Sequence, residues 1–372
     1  MVAESKQVNV AIVGLGFGSE FIPIYQGHPN ANMYAICQRN ESKLAQIGDA
    51  FGVEKRYADY HELLKDPKVE AVHINSPIPD HAGMSIAALQ AGKHVACTVP
   101  MATTVEDCAR IVAAQRASGK KYMMMETVVY SREFLFIKSL RDEGKLGRIQ
   151  FLRGAHHQEM AGWPGYWEGL PPMHYATHAV SPLLAIADAA AEKVSCLGSG
   201  RIADNLAAKY GSPFAVEAAL IKLRDSNLAA EITRSLFETA REYVESFDIY
   251  GEHMSFEWGQ TEADKAVLFR GEKAERVDVP DFASRLPEGI RRYTTKGVYD
   301  SDANHHLSFV QGSGHGGSHP HLAHAFLMSI VEDRNPFPDV YASANWTCVG
   351  LCAHQSAMQG GEWVKIPEFL HP

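Results

Sequence analysis

The sequence predicts two domains: an α/β domain built on a doubly wound parallel sheet, then an α+β domain with a mostly antiparallel sheet. Three observations carry that expectation. The chain opens with a near-continuous apolar run, Val8–Val13, that ends in Gly14-Leu15-Gly16-Phe17-Gly18. Through the first third, short apolar strands alternate with helical patterns, which is the βαβ rhythm of a parallel sheet. Beyond residue 126 successive strands follow one another through short, turn-like connections, as antiparallel pairing requires. At 372 residues the chain exceeds one typical core, and domains at 1–126 and 127–372 are expected.

Val8–Val13 reads as a parallel strand buried on both faces. The glycines after it can turn sharply, and Ser19-Glu20 begins a segment able to start a helix. Bare N–H groups at such a start bind a pyrophosphate where no side chain blocks close approach, so the turn predicts a dinucleotide site. Gly14 and Gly16 fill the first two glycine positions of that fingerprint; the third falls on Ser19, with Gly18 just before it. A second strand, Met33–Cys37, runs into Gln38-Arg39-Asn40 and lacks the acidic residue that usually holds the ribose 2′-hydroxyl. Gln38 can hydrogen-bond a ribose hydroxyl, and Arg39 can stack on adenine or meet a 2′-phosphate, so NAD and NADP both stay open. Helical patterns at Glu41–Phe51 and His81–Ala91 alternate with strands at Glu70–Asn75, His94–Thr98 and Lys121–Met125. Gly147–Arg153 opens the second domain, followed by strands at Ala215–Leu223, Leu228–Leu236, Val244–Tyr250 and Met254–Trp258. Gln311–His324, dense in glycine and histidine, reads as an ordered functional loop.

The formal net charge of −9 leaves no basic excess to neutralise phosphates, which argues against nucleic acid or an anionic membrane as partner. Six cysteines, Cys37, Cys97, Cys108, Cys196, Cys348 and Cys352, are widely spread with no Cys-x-x-Cys, as expected of buried thiols in a reducing compartment. Cys348 and Cys352 stand i,i+4 on a C-terminal helical pattern. No apolar run approaches membrane-spanning length, and a first strand beginning at residue 8 leaves no room for a signal peptide. A cytoplasmic location is expected.

Two further stretches are more specific: Asn75-Ser76-Pro77-Ile78-Pro79-Asp80-His81, then Ala91-Gly92-Lys93-His94-Val95-Ala96-Cys97-Thr98-Val99-Pro100. Over essentially its whole length the chain resembles the Gfo/Idh/MocA family of sugar and cyclitol oxidoreductases. The resemblance implies an N-terminal Rossmann domain and a C-terminal α+β domain with a large open sheet, commonly covered by another subunit, so a homodimer or homotetramer is expected. It implies NAD, with NADP as the alternative, and a small carbohydrate substrate. Cofactor contacts would come from Gly14, Gly16, Phe17, Gly18, Gln38, Arg39, Ser76, Pro77, His81, Thr98, Val99, Pro100 and Glu126. One departure matters most. The family's Glu-Lys-Pro reads Thr98-Val99-Pro100 here, and valine cannot transfer a proton as that lysine does.

Three motifs are similar to those of a branch of NAD-dependent α-N-acetylgalactosaminidases: Tyr122–Tyr130 with Glu126 inside it, Met173-His174-Tyr175-Ala176-Thr177-His178, and Gly314-His315-Gly316-Gly317. The resemblance implies a redox-neutral cycle. A ring hydroxyl, usually at C3, is oxidised; the C2 proton is removed; the aglycone leaves C1; water adds; the ketone is reduced. Tyr175 would be the base at C2, His178 would assist hydride transfer at the C3 hydroxyl, His315 would touch substrate or assist as an acid, and Glu126 would sit near the nicotinamide edge. His174 lies in the same motif without an assigned role, and on a continuous helix it would share a face with His178 at i,i+4.

Other readings stand beside this one. Tyr175 and the histidines can be satisfied core residues. His174 and His178, joined by His156 or Glu126, can hold zinc or manganese, although no metal is expected. Trp163-Pro164-Gly165-Tyr166-Trp167-Glu168 can stack on a sugar or anchor a loop. Of His305, His306, His315, His319, His321 and His324, only His315 is given a functional role; the others are expected at solvent or an interface. A simple NAD(P)-dependent dehydrogenase, or a dinucleotide-dependent sensor, are the alternative functions.

Overall fold

The computed structural model describes residues 6–261, 263–295 and 315–370. The chain divides into two compact units, Met1–Tyr130 with Asp281–Ala344 and Ser131–Pro280 with Asn345–Pro372. The sequence suggests a single boundary near 126, whereas each unit is drawn from two stretches.

In the first unit, β1 (Val8–Val13), β2 (Ala31–Cys37), β3 (Lys55–Tyr57), β4 (Ala71–Ile74), β5 (His94–Cys97) and β6 (Tyr122–Met124) form a parallel sheet of order 3-2-1-4-5-6. That order reverses between β1 and β4, and ligands of such sheets bind where the strands' carboxyl ends meet this switch. The short, half-exposed β3 has too little apolar character to be legible in the sequence. Two helices begin where a side chain satisfies a free N–H: Asn40 accepts from Lys43 N at 2.9 Å and Thr104 from Asp107 N at 3.1 Å.

The helix His319–Val331 overturns the expectation of a loop through His324. Leu322, Ala323, Phe326, Leu327 and Ile330 recur at helical spacing and join Val8, Val10 and Ile12 in one core, together with Leu286, Ile290 and Tyr293. Burial of that stripe outweighs the weak helix propensity of the histidines at its start. It also explains why 281–344 belongs to the first unit. His319 and His321 are buried and His324 hydrogen-bonds His28 at 2.9 Å, so these are interior residues rather than solvent-facing ones. Residues 296–314, including His305, His306 and Gly314, lie outside the described residues.

The second unit holds a nine-stranded sheet. Its strands are β7 (Ile149–His157), β8 (Ala191–Ser199), β9 (Val216–Leu223), β10 (Ala229–Ser235), β11 (Val244–Gly251), β12 (Ser255–Glu257), β13 (Ala266–Arg270), β14 (Lys273–Val277) and β15 (Val364–Lys365), in the order 14-13-12-11-7-10-9-8-15. Only β7 and β10 pair in parallel; the other neighbours are antiparallel. One face is covered by the helix Thr177–Ala187, which lies so close that a Cβ on Gly154 would sit 2.3 Å from the Ala179 carbonyl oxygen. The opposite face is open: along β9, Ala218 and Leu220 point outward between buried neighbours, and Leu197 on β8 is 60% exposed.

Candidate functional site

In the first unit the glycine turn forms the expected cradle. Gly14 has φ +84°, and a Cβ there would meet the Asn75 carbonyl oxygen at 2.4 Å, so only glycine fits. Gly18 plays the close-packing part of the third fingerprint glycine, because a Cβ on it would sit 2.8 Å from Ile12 and 2.9 Å from the Asn75 side chain. The helix predicted after the turn starts as a 3-10 turn, Gly18–Phe21, and continues as Ile22–Gly27. A cavity of about 560 Å³ opens beside it, lined by Gly14, Cys37, Gln38, Arg39, Ser76 and Pro77 among others. Arg39 is exposed at its edge. The cavity's polar rim and glycine floor fit the adenosine half of a dinucleotide.

Asp59 lines the same cavity, an acidic group that stands after β3 and not at the end of β2 where the fingerprint would put one. The backbone N–H groups of Glu62 and His61 hold its carboxyl below the usual range. Its signal was the pattern Asp59-Tyr60-His61-Glu62, a helix start that places a carboxylate after β3. His81 is fully buried with its ring nitrogens 2.8 Å from the Pro100 carbonyl and 2.9 Å from the Ser76 carbonyl. It ties the segments after β4 and β5 together. Thr98 Oγ1 bonds the Ile74 carbonyl at 3.2 Å, Val99 is buried, and Glu126 is buried with its carboxylate accepting from Val128 N at 3.1 Å. His315, at φ +47°, stands edge-on to Phe17 of the glycine turn, ring centroids 6.1 Å apart. His319 also meets Phe17, and its Nδ1 lies 3.3 Å from the buried Glu20 carboxylate.

In the second unit, Tyr175 ends a 3-10 turn, Pro172–Tyr175, and His178 lies in the first turn of Thr177–Ala187. Tyr175 Oη is 3.2 Å from His178 Nε2, and that nitrogen is 3.6 Å from Glu245 Oε1. Tyr243 donates its hydroxyl to the same carboxylate oxygen. Burial and Glu245 push the Tyr243 phenol well above its ordinary range. Beneath them runs a row of charged residues on four adjacent strands. Glu217 on β9 is opposite Arg234 on β10, Arg234 is opposite His156 on β7, and His156 is opposite Glu245 on β11. All four are buried. Arg234 donates to the carbonyls of Tyr175 at 2.8 Å and His156 at 3.0 Å and lies over the Tyr175 ring, which fixes that ring's place. Its pKa is drawn down to about 9 by burial, against the pull of Tyr175, Tyr243 and Glu245.

His174 does not share a face with His178. Ala176 interrupts the helical run between them, and the His174 ring turns to His354 at 4.8 Å, whose Nδ1 is 2.7 Å from Glu217 Oε1. Burial and His354 pull His174 down to about 3. The cluster with ligand-type geometry among the described residues is His156, His178 and Glu245, without His174. Of the aromatic loop, Trp167 is buried edge-on against Tyr175 at 4.8 Å, an anchor, while Trp163 and Tyr166 flank it half-buried.

Residues 8–126 match the Gfo/Idh/MocA family model, described as oxidoreductase family, NAD-binding Rossmann fold. The inositol 2-dehydrogenase of Salmonella paratyphi B is 30% identical over 154 residues, 40% of this chain and 46% of that protein. A glycosyl hydrolase family 109 protein of Shewanella baltica is 28% identical over 198 residues, 47% of this chain and 43% of that protein. The chain thus spans less than half the length of the curated relatives it matches. The fold as a whole matches levoglucosan dehydrogenase in complex with NADH, with TM-score 0.78 and 20% identity over 98% of this chain and all of the other.

Proposed function

We propose that the protein is an NAD(P)-dependent enzyme of carbohydrate chemistry that cleaves a glycoside in a redox-neutral oxidation–elimination cycle. The observation that carries this reading is the Tyr175 hydroxyl set 3.2 Å from His178 Nε2, in a chain whose lysine position is filled by the buried Val99. A proton-transferring pair is present while the ordinary proton carrier is absent.

Gly14, Gly18, Gln38, Arg39, Ser76 and Pro77 are the residues that would hold the dinucleotide, and the glycine cradle and adjoining cavity fit it. A dinucleotide held there would supply the acceptor and then the donor of one hydride, so that no net reduced cofactor would accumulate. His178 assists removal of the proton from the C3 hydroxyl, and the Glu245 carboxylate, 3.6 Å from the same Nε2, favours the imidazolium that forms. Tyr175 takes the C2 proton once C3 is a ketone, and its ring is held in place by Arg234 and Trp167. His315, flanked by glycines, is assigned a substrate contact.

The expected result with a panel of aryl glycosides is aglycone release without a lasting rise in reduced-nicotinamide absorbance, by protein that carries its cofactor through gel filtration. Cofactor-free protein that steadily reduces NAD(P) with a free sugar would make it a simple dehydrogenase instead. Homo-oligomerisation through the open face of the nine-stranded sheet is part of the same proposal, supported by the outward Leu197 and Leu220. Residence in the cytoplasm is supported by six free, buried thiols.

A further inference from the structure

We propose that His156, His178 and Glu245 form a binding site for one divalent transition-metal ion in the second unit. This rests on the reading above and revises one step of it: with an ion bound, His178 acts on the C3 hydroxyl through the metal instead of as a direct base. The three side chains come from different elements: His156 from β7, Glu245 from the register position directly opposite it on β11, and His178 from the helix laid over that face. One ligand atom of each lies within 4.8 Å of the other two, and all three residues are buried. Ligands around an ion at about 2.1 Å are separated by about 3.0–3.4 Å in octahedral or tetrahedral arrangements. The His178 Nε2 to Glu245 Oε1 separation of 3.6 Å is near that spacing, so small side-chain rotations close the set. Two imidazoles and one carboxylate are the donor set of catalytic sites that keep coordination positions open.

The charges on this face allow for a cation. The polar row holds two carboxylates, Glu217 and Glu245, to one guanidinium, Arg234, which sits between Glu217 and His156 in register. Glu217 is engaged by His354 Nδ1 and by Met173 N, each at 2.7 Å, whereas Glu245 acts on Arg234 across His156 and stands 3.6 Å from His178 Nε2. Tyr175 Oη, 3.2 Å from the same His178 nitrogen, marks the side from which a further oxygen ligand would approach. The ligand class is a hydroxyl or carbonyl oxygen of the substrate. His178 would then act on that oxygen through the ion rather than directly.

The experiment uses tag-free protein stripped with a chelator, dialysed, and titrated with Co²⁺ and separately with Mn²⁺, without substrate. Bound metal is read by elemental analysis and by the visible spectrum of the cobalt form. About one equivalent per chain is expected, with His156→Ala and Glu245→Gln each weakening binding by at least about tenfold, since even second-layer changes cost that much. His157→Ala, next in the strand and bonded instead to Ser235 Oγ at 2.8 Å, is expected to bind like the parent. Circular dichroism checks that each variant is folded. Stripped protein that takes up no ion, or folded His156→Ala and Glu245→Gln variants that bind as tightly as the parent, would overturn the site. Such a failure leaves the glycoside reading standing, because the titration does not depend on turnover.

Discussion

At the scale of single residues, Tyr175 is the position on which the proposed chemistry turns. Phenylalanine keeps the ring against Trp167 and Arg234 and removes only the hydroxyl near His178. Tyr175→Phe is expected to slow exchange of the sugar C2 proton into deuterated solvent by at least about a hundredfold while NAD binding is unchanged. Exchange at the parental rate would remove Tyr175 from the base role. Tyr175 and His178 were legible because their motif is local in sequence. Arg234, Glu245 and His156 are spread over three strands, with Tyr243 just before the third, and only register brings them together. A signal for them did exist. Glu217 and Arg234 stand at strand positions whose i±2 neighbours are buried and apolar, and His156 follows buried Leu152 and Gly154 on its face, where a polar residue needs a reason. His174 misled for the opposite reason: its spacing was read on a continuous helix that Ala176 interrupts.

At the scale of elements, the parallel strands of the first unit other than β3 were readable because each is an apolar run between turn residues, and β1 matches its expected bounds. The strands Ala191–Ser199, Ala266–Arg270 and Lys273–Val277 were not, since their mixed polarity resembles that of loops. That same alternation leaves one face of the second sheet with Leu197 and Leu220 outward. If that face joins two copies, Leu220→Glu puts a charge in an apolar contact. Light scattering should then show smaller particles than the parent, with circular dichroism unchanged. A parent that is already monomeric at micromolar concentration would end the oligomer proposal.

For the molecule as a whole, buried imidazoles set how stability depends on pH. Burial draws His73 down to about 3, and burial with His324 draws His28 down to about 4. A depressed folded pKa means the unfolded chain binds protons first, so this stability is present above about 6.5 and is lost as pH falls. His81 has the opposite sign. Burial lowers it, but the Cys97 sulfur and the Pro100 and Ser76 carbonyls carry it up to about 9. Its contribution, on the order of 3 kcal/mol, is present below about 6.5 and lost as pH rises toward 9. The melting temperature should therefore peak near neutrality, and His81→Asn should flatten the alkaline limb. A parent profile flat from pH 6.5 to 9 would contradict the role given to His81. The core shared by Val8, Val10 and Phe326 has one more outcome. During synthesis the ribosome delivers β1 long before its covering helix, so the nascent dinucleotide domain must wait, incompletely covered, until His319–Val331 has been translated. A gene cut after codon 130 would encode the family's fingerprint and still fail to yield a free-standing cofactor-binding module.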